Sequence, residues 1–266
     1  MLQNPRNKVR GLFILILVGL ISLSIYYFIS INKSKKYPSI DILLREGEAL
    51  LLSSQPNEAV EKFEEALRIE PNNPAAYDGL GQALEELGNR EEAIKKYEEA
   101  LRIDSTFSMA LHDLSRALAR IGRFDEALQK AHGLIKLQPD DFMAYLDAAN
   151  ALRNLGKYEE ALEYLQKAYE RNPGDWEIYH LKGICLYNLG KKEEAVKNFS
   201  KSVQLNEVNG RAYIYWGVVL QDLRDYMGAK DKYQKALEAF KKLNDKSGEK
   251  AAKEVLRKVE FLIERR

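Results

Sequence analysis

Apolar side chains fall into two patterns along this chain. Between Gly11 and Asn32 they run almost without interruption, with no ionisable side chain except Tyr26 and Tyr27, and Gly11 to Ser30 reads GLFILILVGLISLSIYYFIS. From Ile40 onward they recur three and four residues apart and are broken by charges, the spacing of helices that bury one face. The first pattern predicts one long apolar helix, the second a succession of short amphipathic ones.

The second pattern repeats itself every 34 residues, at 40–73, 74–107, 108–141, 142–175, 176–209 and 210–243. Position eleven of every period is leucine, from Leu50 to Leu220, and position twenty is alanine, from Ala59 to Ala229. Position eight is always small, as Gly47, Gly81, Ser115, Ala149, Gly183 and Gly217. Small residues at these two positions let paired helices approach closely. Gly88, Gly122, Gly156 and Gly190 fall at position fifteen, where a left-handed residue closes a first helix. An acidic segment follows each, suited to the first turn of a second helix because the backbone dipole there favours carboxylates. Pro71, Pro139 and Pro173 then end the second helix.

Six such periods resemble the tetratricopeptide repeat family. The resemblance implies an all-α fold, a right-handed α-solenoid of six helix-turn-helix repeats. Ser105, Glu207 and Lys241 replace the family's terminal proline, and Ala131 replaces its large residue at position twenty-four. Residues 244–266 predict a C-terminal capping helix, with Ala252, Val255, Leu256, Val259, Leu262 and Ile263 on one stripe to cover the last repeat.

Ahead of the repeats, residues 11–32 are long enough to span a bilayer, since twenty helical residues rise about 30 Å. Residues 1–10 form a basic tail and 33–39 a linker, and three Lys or Arg flank the apolar run on each side. A cleaved leader has the same order of features, but the apolar run continues through Ser22-Leu23-Ser24, its one small-x-small triplet. A transmembrane helix is therefore expected, giving a single-pass membrane protein. The short basic tail favours a cytoplasmic N-terminus and a repeat domain on the other side.

Charge narrows the functions further. With 41 Lys plus Arg against 40 Asp plus Glu, the chain lacks the basic excess on which general nucleic-acid binding rests. Its single cysteine, Cys185, excludes intrachain disulfides and paired-cysteine metal sites. Gly79-Leu80-Gly81 lies within a helix and lacks the third glycine of a dinucleotide loop. His112, His132 and His180 have no second ligand at a metal spacing, and a solenoid whose repeats touch only neighbours does not gather a catalytic triad. No enzyme activity and no cofactor are expected.

What remains is binding. Helical geometry of about 100° per residue sets positions two, five, nine, twelve and thirteen of each first helix opposite those that serve the repeat's own core. In the resembled family this second set lines the concave surface that receives partner polypeptides. It implies a peptide-binding groove at His112, Arg116, Arg120, Asn150, Arg153, Asn154, His180, Ile184, Tyr187, Asn188, Ile214 and Val218. Arginines suit carboxylates, and the later residues make an apolar continuation. Leu44, Leu51 and Leu52 leave the first helix apolar where an end repeat is normally polar. They predict either self-association or membrane contact, or simple packing within their own repeat. The expected function is a membrane-anchored interaction module that organises a complex at the bilayer surface. The alternative is a self-assembling scaffold or a non-catalytic subunit of a membrane enzyme or secretion complex.

Overall fold

The computed structural model describes residues 39–265. The expected membrane span at 11–32, its basic tail and most of the linker lie outside the described residues. Among the described residues no helix is long and apolar enough to cross a membrane.

The described residues form thirteen helices and no strand. Twelve make six hairpins: α1 (Ile40–Leu52) with α2 (Pro56–Ile69), α3 (Pro74–Glu86) with α4 (Arg90–Ile103), and α5 (Ser108–Arg120) with α6 (Phe124–Leu137). They continue as α7 (Phe142–Asn154) with α8 (Tyr158–Arg171), α9 (Trp176–Asn188) with α10 (Lys192–Leu205), and α11 (Gly210–Asp222) with α12 (Tyr226–Lys242). The thirteenth, α13 (Lys246–Glu264), packs on α12 and α11. Each helix also packs on the next in sequence. First helices of successive hairpins touch one another, whereas second helices do not. The stack therefore curves with its first helices on the inside.

Local chemistry explains where these helices begin and end. Asn73, Asp141, Asp175 and Asn209 each accept a bond from a backbone N–H in the first turn of the helix that follows, satisfying a donor the helix cannot. Gly88, Gly122, Gly156 and Gly190 take φ between 78° and 86°, and Ser54 and Arg224 hold the same left-handed position at 56° and 65° in the outer two repeats.

Position eight is matched to position twenty-four. Where position twenty-four is aromatic, as Phe63, Tyr97, Phe199 or Tyr233, position eight is glycine, and a Cβ there would collide with the ring. Where it is Ala131 or Leu165, position eight carries a side chain, Ser115 or Ala149. Ser115 Oγ fills the smaller gap by donating to Ala127 O at 2.8 Å. Ala131, a departure from the family pattern, is thus compensated within its own hairpin.

At the first end of the stack, Leu44 and Leu51 are half-buried against the core around Phe63, Leu80 and Leu84. Leu52 is 89% exposed and Ile42 49% exposed. Of the three leucines expected to form a contact surface, only Leu52 stands in solvent; the other two serve the core because α2 and α3 pack against α1.

Candidate functional site

The inner surface holds a hollow of about 370 Å³ formed by α5, α7, α9 and α11. Its lining draws on the C-terminal halves of α5 and α7, through Arg116, Arg120, Asn150, Arg153 and Asn154. From the next two first helices come Trp176, Glu177, His180 and Ile184, then Arg211 and Tyr215. The hollow thus runs from the C-terminal halves of α5 and α7 to residues nearer the N-terminal ends of α9 and α11.

Four arginines face this space and one carboxylate, Glu177, joins them. Arg120 is paired with Glu85 at 2.9 Å. Arg153 Nη2 donates to Asn150 Oδ1 at 2.6 Å while its Nε is buried without a partner. Arg116 meets only the His112 ring, at 3.5 Å. Arg116, Arg153 and Arg211 make no salt bridge with a carboxylate among the described residues, and with Glu177 as the one acid in its lining the hollow keeps a net positive charge. His180 is buried in its wall with Nδ1 unpartnered. Burial first, and the neighbouring Arg153 and Arg211 second, push its pKa down to about 4, so the ring is neutral at pH 7. Burial pushes the Glu177 carboxyl upward, aided by Asp175. The arrangement presents donors and fixed positive charge to an anion, with Trp176 and Tyr215 as apolar walls.

Beside it the inner surface changes sign, and there acidic groups are drawn together with Gln82 and His112, although Asp78 Oδ1 is buried without a partner. Gln82 Nε2 bridges two carboxylates, donating to Asp78 Oδ2 at 3.1 Å and Asp113 Oδ2 at 2.7 Å. His112 Nδ1 lies 2.5 Å from Asp147 Oδ2. Burial lowers the His112 pKa, but the Asp147 carboxylate outweighs it and the net shift is upward. Asp147 is raised by burial.

Seven of the twelve residues assigned to a groove from sequence line the hollow: Arg116, Arg120, Asn150, Arg153, Asn154, His180 and Ile184. His112 stands outside it, held by Asp147. Tyr187 is turned away, its hydroxyl donating to Asp222 Oδ2 at 2.7 Å. Asn188 Nδ2 donates to Ile184 O at 2.9 Å within its own helix. Ile214 and Val218 belong to an apolar cluster with Val255, Leu256 and Val259 of α13. The expected apolar continuation of the groove is therefore taken up by the C-terminal helix.

Sequence phase placed Arg211, at position two, on the concave face but did not assign Trp176, Glu177, Asn209 or Tyr215 to the site. Glu177 also occupies position two of the inward set, so the pattern held a signal for it; Trp176, Asn209 and Tyr215 carried none. Among the described residues no group of three or more His, Cys, Asp or Glu side chains could hold a metal ion.

Comparison with known proteins agrees with this architecture. No curated protein matches the chain. A tetratricopeptide repeat protein from Parabacteroides merdae superposes with a TM-score of 0.71 at 18% identity, covering 96% of this chain and 98% of that one. The Cut9 and Hcn1 hetero-tetramer of the APC/C gives a TM-score of 0.72 at 18% identity over 86% of this chain and 44% of that chain. Pseudomonas aeruginosa PilF gives 0.63 at 18% identity, over 80% of this chain and 95% of that chain. At such identities the likeness is one of fold. The tetratricopeptide repeat family model matches residues 44–106, 112–175 and 146–210, more than half of the sequence, and the chain belongs to that family.

Proposed function

We propose that this protein is a non-catalytic, membrane-anchored adaptor that holds an acidic segment of a partner polypeptide in the hollow between α5 and α11. The observation that supports this reading is the convergence of Arg116, Arg153 and Arg211, none ion-paired with a carboxylate, around the buried, unpartnered His180. Arg116 and Arg211 are exposed and free to meet a ligand, while the buried Nε of Arg153 is a donor without a partner that an anion would satisfy. Arginine's planar fork suits carboxylates in pairs or singly. The apolar run at 11–32 supports an anchor, which would confine the repeats to the bilayer surface and bring partners together there. With Ile214 and Val218 engaged by α13, the ligand contacts are polar ones around the hollow.

The test is a fluorescence titration of full-length protein in detergent micelles with a labelled hexaglutamate peptide and its hexaglutamine counterpart. Charge-assisted bonds contribute about 1.5–3 kcal/mol each, so the double reversal Arg153→Glu and Arg211→Glu should weaken hexaglutamate binding at least tenfold. The loss should be greatest at low salt, where screening is least. Lys191→Glu, just before α10, with Lys201→Glu on it changes charge equally outside the hollow and should matter little. Equal affinity in both double variants, or equal binding of the two peptides, would remove the hollow as the site. Anchoring is tested on the same protein by its resistance to carbonate extraction from membranes.

A further inference from the structure

We infer that the hollow recognises an aromatic residue flanked by acidic ones, the ring lying against Trp176 and Tyr215 while the carboxylates meet the arginines. This rests on the reading of the hollow as a peptide site and names what the peptide carries. The arginines account for one side of the space only. Its volume of about 370 Å³ lies within the range of ligand pockets, about 300–1,000 Å³, and is far more than a carboxylate needs. The other side is built of rings. Trp176 opens α9, His180 follows it by about one turn, and Tyr215 stands on α11. The His180 ring lies 6.4 Å from that of Trp176 and 5.7 Å from that of Tyr215, between centroids. Phe199 of α10 backs this wall, fully buried and 6.0 Å from both His180 and Tyr215.

Glycine at position 183 makes room for the backing ring, since a Cβ there would stand 2.6 Å from Phe199. Ser202 Oγ donates to Trp176 O at 3.0 Å and accepts from Asn209 Nδ2 at 3.2 Å, while Asn209 Oδ1 accepts from Ala212 N. The backbone beneath Trp176 is thus tied through a buried hydroxyl to the cap of α11, the helix that carries Tyr215. A wall held in this way gives up little freedom when a ligand arrives. Trp176 and Tyr215 are both partly exposed, and among the described residues neither the indole N–H nor the phenol hydroxyl has a hydrogen-bond partner. Trp216, the chain's other tryptophan, has Lys232 Nζ 4.2 Å from its ring centroid. Among the described residues no Lys or Arg covers the ring of Trp176 or Tyr215 in the same way. Arg153 and Arg211 are nonetheless close enough to act on the His180 ring, so positive charge lies at the edge of the aromatic wall. An aliphatic side chain would only fill the space. A ring adds offset or edge-on contacts with both aromatic residues and can receive an arginine over its face.

The experiment titrates full-length protein in micelles with three labelled peptides: hexaglutamate, and its variants with tyrosine or leucine as the third residue. The last two have equal charge, so the ratio of their affinities isolates the ring. Wild type should bind the tyrosine peptide about three- to tenfold more tightly than the leucine peptide. That ratio should hold as salt rises, while both affinities fall. Trp176→Leu on α9 and Tyr215→Leu on α11 should each bring the ratio close to one, with circular dichroism confirming the fold. Trp216→Phe, outside the hollow, should keep it. A ratio of one in wild type, with hexaglutamate still bound, overturns this inference and leaves the acidic-segment reading standing, whatever the variants do. A ratio that survives in both leucine variants overturns it as well. Failure of all three peptides to bind removes the arginine site, and this inference with it. Displacement of the tyrosine peptide by equimolar AMP, which joins a ring to an anion without a peptide, would overturn the assignment to a polypeptide.

Discussion

Asp78 provides the sharpest test of the inner surface's electrostatics. The side chain is 3% exposed; Oδ2 accepts from Gln82, and Oδ1 is buried with no partner. Burial, with the Asp113 carboxylate second, pushes its pKa up to about 8, against about 3.9 for an aspartate in an unfolded chain. The folded protein therefore keeps a proton that the unfolded chain has lost throughout the interval between these values. Stability from this group is fully present below pH 4 and declines as pH rises through the folded pKa. Each unit of pH costs at most about 1.4 kcal/mol per proton, which integrates to an upper bound of about 4 kcal/mol at pH 7. Asparagine has the same shape, stays neutral, can accept from Gln82, and can donate where the protonated carboxyl would. Asp78→Asn should be more stable than wild type by about 2–4 kcal/mol at pH 8 and nearly equal to it at pH 4. Urea denaturation of the full-length protein in micelles, followed by circular dichroism at four pH values, measures the difference. A difference that does not change between pH 4 and pH 8 refutes the assignment of a retained proton to Asp78.

His180 should show the opposite slope. Its folded pKa of about 4 lies below the unfolded value, so stability is lost as pH falls from about 6.5 toward 4, and His180→Gln should flatten that acid limb in the same denaturation series. Gly217→Ala places a Cβ against the Tyr233 ring; overpacking of about 1–3 kcal/mol should exceed the gain of about 1 kcal/mol in helix propensity. Adding Tyr233→Leu recreates the Ala149 and Leu165 combination of the fourth repeat, and a double-mutant cycle should give a favourable coupling of about 1 kcal/mol, whereas simple additivity would refute the matched-pair reading.

Much of the architecture was legible because its determinants are periodic. Leucine at position eleven, alanine at twenty and a turn residue at fifteen recur often enough to place twelve helices, and the stripe from Ala252 to Ile263 places the thirteenth. The site was legible in part. Helical phase says which side of a first helix faces inward, and this found Arg116, Arg153 and His180. Phase within one repeat carries no information about height along the helix axis. The hollow uses the C-terminal halves of α5 and α7 but residues nearer the N-terminal ends of α9 and α11, and Trp176, Asn209 and Tyr215 enter it there from outside the inward phase. Ile214 and Val218 pack toward α13, which phase left open for a related reason: an amphipathic stripe shows that α13 needs an apolar partner, but not which residues of α11 it meets.

Charge by itself does not separate structural from functional positions on this inner surface; the presence of partners does. Arg120 and Glu85 are inward residues of adjacent repeats, yet they neutralise each other at 2.9 Å. His112 is spent on Asp147, and Gln82 ties Asp78 to Asp113. These bonds run from one hairpin to the next, so they fix the relative placement of neighbouring first helices. That placement in turn determines where the unpaired groups fall. Arg116 follows His112 by one turn of α5, and Arg153 follows Asp147 on α7, so the His112 to Asp147 contact aligns the two helices that present the first two arginines. Loosening that contact, with the hollow untouched, should therefore act on anion affinity before it acts on the fold.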